Sequence, residues 1–161
     1  MKVKFTLIAL LFITLSSFGQ VTNEGNPISW DLNLSSEEIA VKTLPEFDMN
    51  QVKAEDEIND EKPDFPWRFG YTHSVDFGLE DGSWTELENG DRIWRLLVSS
   101  PGALSLNFIF DDFYIPEGGK LYLYSDNREE LLGAYTSIQN QESGILGTWL
   151  VSGDKVWLEY Y

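Results

Sequence analysis

The residues best placed by type to do covalent chemistry are His73, Ser74 and Asp76, within Tyr71-Thr72-His73-Ser74-Val75-Asp76. A serine nucleophile needs a base within hydrogen-bond reach and a carboxylate that orients the base. His73 is the sole histidine of the chain, so every base-dependent scheme must pass through it. Its neighbours are too close in sequence to serve: on an extended stretch, adjacent side chains point to opposite faces. No Gly-Asp-Ser-Gly-Gly run surrounds any serine. We therefore read His73 as an ordinary, partly exposed loop histidine, and these 161 residues as carrying no enzyme activity of their own.

Hard oxygen ligands are more plentiful. Asp111-Asp112, and Asp126-Asn127 with Glu129-Glu130, offer carboxylates of the kind Ca²⁺ prefers. Asp111, Asp112 and Asp126 are the metal candidates, although their spacing matches no EF-hand loop and we expect no cofactor. The chain has no cysteine, which removes disulfides and thiolate metal sites together. Aromatic side chains are the third resource, with six Trp and seven Tyr. Tyr122 and Tyr124 share one face of a strand-like run, and Trp67 and Trp157 join them as aromatics that could face a partner, carbohydrate or protein. Against that, aromatic stripes on strands more often pack inside a protein than present a platform.

These residues are delivered to their address by the start of the chain. Lys2 and Lys4 precede an apolar stretch at residues 5–15, and Ser17-Phe18-Gly19 supplies small residues for cleavage before Gln20. That is a secretory signal peptide over residues 1–19. It predicts a secreted, extracellular protein that crosses the periplasm in transit and has no membrane association once the signal is removed. The formal net charge is −16, and loss of Lys2 and Lys4 makes the remainder more acidic. Nucleic acid is disfavoured as a partner because its phosphates would be repelled.

The elements that must position the candidates follow from patterning. Residues 20–64 read as an acidic, partly flexible arm, interrupted by Pro27, Pro45 and Pro63 and loaded with Glu37-Glu38, Glu55-Asp56-Glu57 and Asp60-Glu61. Asp31-Leu32-Asn33-Leu34 alternates and predicts an edge strand. Residues 49–58 predict a short helix with Asp48 as its N-cap. From Phe65 aromatics become dense, and short alternating runs follow, bounded by Gly, Pro, Asn and Asp. Runs at 93–98, 104–110, 121–124, 131–136, 145–151 and 156–160 have the spacing of an all-β sandwich or barrel. We expect an antiparallel, jelly-roll-like β-sandwich over residues 65–161. Leu104, Leu106, Phe108 and Phe110 form its expected central inward-facing strand.

An ordered set of short motifs carries a resemblance. It comprises Pro27-Ile28-Ser29-Trp30, Ala54-Glu55-Asp56, Pro66-Trp67-Arg68-Phe69-Gly70, Trp94-Arg95-Leu96, Ser100-Pro101-Gly102-Ala103, Phe110-Asp111-Asp112-Phe113, Leu132-Gly133-Ala134-Tyr135 and Gly153-Asp154-Lys155. In this order they resemble the non-catalytic N-terminal region of secreted, lysyl-endopeptidase-like serine protease precursors of Bacteroidetes-type bacteria. The resemblance implies a pro- or accessory region that assists folding of a downstream trypsin-like domain or restrains it. The family's catalytic His, Asp and Ser have no matching positions here. With the last run reaching Tyr161, a partner domain is expected beyond it. The competing expectation is a free-standing secreted β-sandwich that binds carbohydrate or a surface protein.

Overall fold

The computed structural model describes residues 25–161; the expected signal peptide, residues 1–19, lies outside them. Most of the ordered structure is strand, with few helices. Helix α1 (Ile28–Asp31) and helix α2 (Met49–Asp60) flank strand β1 (Val41–Thr43). Nine strands follow: β2 (Ser83–Glu86), β3 (Arg92–Ser99), β4 (Ser105–Leu106), β5 (Ile109–Phe110), β6 (Leu121–Ser125), β7 (Leu131–Tyr135), β8 (Leu146–Gly147), β9 (Val151–Ser152) and β10 (Lys155–Tyr160).

The main sheet is built around β3, β10 and β6. Strand β10 lies antiparallel between them, with Leu158 opposite both Leu96 and Leu123. Strand β7 closes the far side by pairing with β6. The near edge of β3 is shared. Strand β2 pairs antiparallel with its first half, Trp84 opposite Trp94, and β1 pairs parallel with its second half, Val41 opposite Leu97. The sheet is thus mixed, where sequence patterning predicts antiparallel pairing throughout. The parallel strand comes from residues 20–64, the segment read as an arm, which lies too far from β3 in sequence to be tied to it by a hairpin turn.

Both faces of this sheet are covered, which explains why β3, β6 and β10 are apolar nearly throughout. One face carries Trp94, Leu96, Val98, Leu121, Leu123, Val156 and Leu158. A ribbon packs on it, formed by residues 105–110 against 146–152. The ribbon is where the expected central strand over 104–110 fails. Its pairing breaks between Leu106 and Ile109, where Asn107 and Phe108 face Trp149, Leu150 and a side-chain bond from the Phe108 amide to the Thr148 hydroxyl (3.0 Å). Two residues thus stand against three, Thr148 to Leu150, and the extra residue of the partner strand interrupts the ladder as a bulge does. Leu106, Phe108 and Phe110 still pack toward the core, but Leu104 is 91% exposed.

The opposite face carries Leu97, Tyr122, Tyr124, Ala134 and Trp157, and its cover is the N-terminal segment, through Trp30 and Ile39. The Asp31–Leu34 edge strand is absent: Ile28–Asp31 is helical, and Asn33 sits at φ +51° in the turn that follows. Having crossed that face, the chain passes the β3 edge as β1 and places Leu44 in the core of the first face. Helix α2 starts where the sequence predicts. The Asp48 carboxylate accepts from the amides of Asn50 (2.8 Å) and Gln51 (3.3 Å), satisfying donors that the first helical turn leaves free.

Candidate functional site

Glu159 is the first residue that ordinary burial does not explain. It is fully buried on β10, and burying a carboxylate is costly unless hydrogen bonds replace its water. The N-terminal segment supplies them. The Ser29 amide donates to one carboxylate oxygen (2.9 Å) and the Ser29 hydroxyl to the other (2.5 Å), and the Tyr124 hydroxyl adds a third bond (3.2 Å). Arg95 stands opposite Glu159 in the β3–β10 register and is 3% exposed. Its guanidinium donates to the Ser35 carbonyl (3.0 Å). Burial, reinforced by the negative charge of Glu159, pushes the Tyr124 phenol well above its ordinary value. The network is an anchor: it locks residues 29–35 onto the sheet.

The expected partner-facing aromatics divide along this line. Tyr122, Tyr124 and Trp157 are 2%, 4% and 8% exposed, because the sheet face that bears them is occupied by the chain's own N-terminal segment. Trp30 meets Tyr124 edge-on at 4.9 Å, and Tyr124 stacks with Trp157 at 6.3 Å. Trp67 is 80% exposed. It belongs to a run in which every odd position from 65 to 71 is an exposed aromatic: Phe65, Trp67, Phe69 and Tyr71. Arg68 ties that run to α2, bonding Glu55 (2.9 Å) and Asp56 (3.2 Å). The Arg68 guanidinium holds the Glu55 carboxyl below its usual range.

His73 sits at the end of this run in an aromatic cluster. Phe47 and Tyr71 stack at 4.0 Å, and the imidazole meets both edge-on, at 5.7 and 5.0 Å. The metal candidates also resolve into separate tasks. Asp126 accepts the Trp157 indole N–H at 2.8 Å, while Asp111 and Asp112 line the mouth of a cavity. Among the described residues, no group of three or more His, Asp or Glu side chains is arranged to hold a metal ion.

That cavity has a volume of about 380 Å³ and opens on the ribbon side of the sheet. Trp94, Leu96, Leu121 and Leu158 form its floor, Phe108, Phe110, Phe113 and Ile115 one wall, and Val75, Phe77 and Leu79 the other. The second wall is held in place by three contacts. The Trp94 indole donates to the Leu79 carbonyl (2.7 Å), the Gly78 amide to Asp81 (2.9 Å), and Asp81 pairs with Lys42 of β1 (2.5 Å). The pairing with Lys42 lowers the Asp81 carboxyl. At the mouth, Asp112 adopts φ +49°, which turns the chain so that Phe113 points inward while the two aspartates remain exposed. The Phe113 amide then bonds the Gly144 carbonyl at 2.7 Å. Asp76 joins Asp111 and Asp112 around the opening, and no Lys or Arg lines the cavity. An apolar interior with a few polar groups at its rim is the usual form of a ligand pocket.

Sequence reasoning passed over this cavity. The available signal was the phase of residues 65–79, in which the odd positions are Phe, Trp, Phe, Tyr, His, Val, Phe and Leu. Such alternation ordinarily marks a half-buried strand, yet this stretch pairs with no other strand. No protein-family model matches the chain, and no solved structure matches it.

Proposed function

We propose that this chain is the non-catalytic N-terminal pro- or accessory region of a secreted, lysyl-endopeptidase-like serine endopeptidase precursor. It works by docking on the trypsin-like protease domain, as a template for that domain's folding or a restraint on its activity. The observation that carries this reading is the run of exposed aromatics at Phe65, Trp67, Phe69 and Tyr71, between 47% and 85% exposed. Four exposed aromatic side chains in so short a segment are costly in water and favour cover by another protein. Arg68, bound to α2, presents the run on a fixed support. The signal peptide expected at residues 1–19 and the ordered motifs of the resemblance support an extracellular location. The main sheet and its ribbon are then the two layers of an open, jelly-roll-like sandwich.

The second reading, a free-standing secreted binding module, draws on the aromatic-lined cavity, whose interior suits a protein ligand better than a carbohydrate. The experiment that separates them is refolding of a lysyl-endopeptidase-like catalytic domain from the same source, with and without this chain added in trans. The first reading expects a higher yield of active protease, or slower substrate turnover, when the chain is present. Equal yield and equal turnover reject it.

A further inference from the structure

We infer that the cavity between residues 75–79 and 108–115 is a peptide-binding site: it takes one bulky apolar side chain of an extended partner segment whose flanking residues are basic. The inference rests on reading the chain as a partner-binding region, but not on the partner being a protease.

Three independent observations converge on this occupant. The interior is apolar and aromatic, with a volume of about 380 Å³, within the usual range of roughly 300–1,000 Å³ for ligand pockets. The charged lining residues are all acidic, Asp76 on one side of the opening and Asp111 and Asp112 on the other; Lys42, which lies over the outer wall residue Phe77 at 5.5 Å, is already paired with Asp81. A chain of net charge −16 reinforces that field, so a segment with Lys or Arg beside its anchor is steered in and a segment with acidic flanks is repelled. The third observation is the backbone. Among the described residues, the amides and carbonyls of residues 66–77 make no main-chain hydrogen bond, and residues 75–77 border the cavity. An exposed stretch of unpaired backbone next to a side-chain pocket is the arrangement by which proteins add a partner strand. The main chain supplies affinity and the pocket selects a side chain. A small apolar molecule would explain the interior but would use neither the charged rim nor the open backbone.

The test uses a fluorescein-labelled decapeptide with a central Lys-Phe-Lys flanked by Thr and Val, titrated with the chain and followed by fluorescence anisotropy. Two further peptides replace the centre by Lys-Ala-Lys and Glu-Phe-Glu. The Lys-Phe-Lys peptide is expected to bind at least about 10-fold more tightly than either, since a buried aromatic anchor dominates such interfaces. Raising the salt to about 0.5 M should weaken it further by screening the rim. The triple variant D76N/D111N/D112N, whose substituted side chains are exposed and leave the core untouched, should abolish the preference for Lys over Glu. Phe77→Ala, at a partly exposed wall position, should weaken binding of the Phe peptide toward that of the Ala peptide. Hydrogen exchange should show new protection at amides within residues 72–77 only when the Lys-Phe-Lys peptide is bound. Equal affinity for all three peptides, no binding at millimolar concentration, protection confined to other segments, or a charge preference that survives the triple variant would each overturn the inference. So would uptake of a fatty acid by the cavity without peptide binding. Because no protease enters the experiment, its outcome is separate from that of the refolding test.

Discussion

At the scale of single residues, Glu159 carries the most consequence. It is buried completely, and its three hydrogen bonds come from Ser29 and Tyr124. Removing it leaves the Ser29 amide and hydroxyl and the Tyr124 hydroxyl, all buried, without their acceptor. Glu159→Ala is expected to cost about 3–5 kcal/mol, because it leaves three buried donors without an acceptor at roughly 1–3 kcal/mol each. Glu159→Gln, which keeps the shape and one acceptor oxygen, should cost less, about 1–3 kcal/mol. Urea unfolding of the three proteins measures both, and a Glu159→Ala protein of wild-type stability would contradict the anchoring role. The tyrosines give a second readout. Burial raises the phenol pKa of Tyr122, Tyr124 and Tyr135 above the ordinary value of 10.0. A raised folded pKa means that the native state holds its proton more tightly than the unfolded chain. The stabilisation is therefore complete below pH 10 and is lost as pH rises above it. Absorbance at 295 nm should show these three phenols ionising only as the protein unfolds in alkali, while far-UV dichroism falls in step. A smooth titration of all seven tyrosines with the dichroism unchanged would contradict their burial.

At the scale of elements, Gly133 fixes the β6–β7 pairing. It sits at φ +115°, and a Cβ there would lie 2.6 Å from the Leu121 carbonyl oxygen. The register of the two strands slips at this point, between Leu121 and Leu123. Gly133→Ala is expected to destabilise by about 1–3 kcal/mol from the backbone conformation alone, with more from the displaced carbonyl. A thermal midpoint matching the wild type would show that the strand accommodates a side chain. Strands β3, β6 and β10 were legible in the sequence because their Trp, Leu, Val and Tyr runs are bounded by Gly, Asn and Asp turns. Helix α2 was legible because Asp48 announces it. Strand β1 was not. Its three residues carry no periodic pattern, and their partners are 56 residues further along the sequence, a pairing that only the assembled tertiary structure specifies. The bulge that splits the 104–110 run was equally silent, since it arises from the opposing Trp149 and Leu150 rather than from the run itself.

At the scale of the whole molecule, residues 25–44 complete one sheet instead of trailing from it. The chain lays Trp30 and Ile39 on one face, crosses the edge of β3, and buries Leu44 in the other. This explains the fate of Tyr122, Tyr124 and Trp157. Their stripe on the strands was legible, but which surface covers a stripe depends on where a distant segment docks. The candidate site was legible only in its parts. Asp111, Asp112 and the aromatics of 65–79 are visible in sequence, while the cavity between them exists only once the ribbon and the 75–79 wall meet over the sheet. With its own sheet faces filled, the molecule leaves exposed apolar side chains along the aromatic run and beside the acidic cavity, and others at Leu104, Ile138 and Trp149. The most direct test is the yield of active catalytic domain refolded beside the intact chain and beside a chain with Trp67 and Phe69 both replaced by Ser. Both side chains are at least 80% exposed, so the double variant should fold normally. The intact chain is expected to change the yield or the turnover several-fold, and the double variant to lose most of that effect. An intact chain with no effect, or a double variant as effective as the intact chain, would contradict the proposed docking.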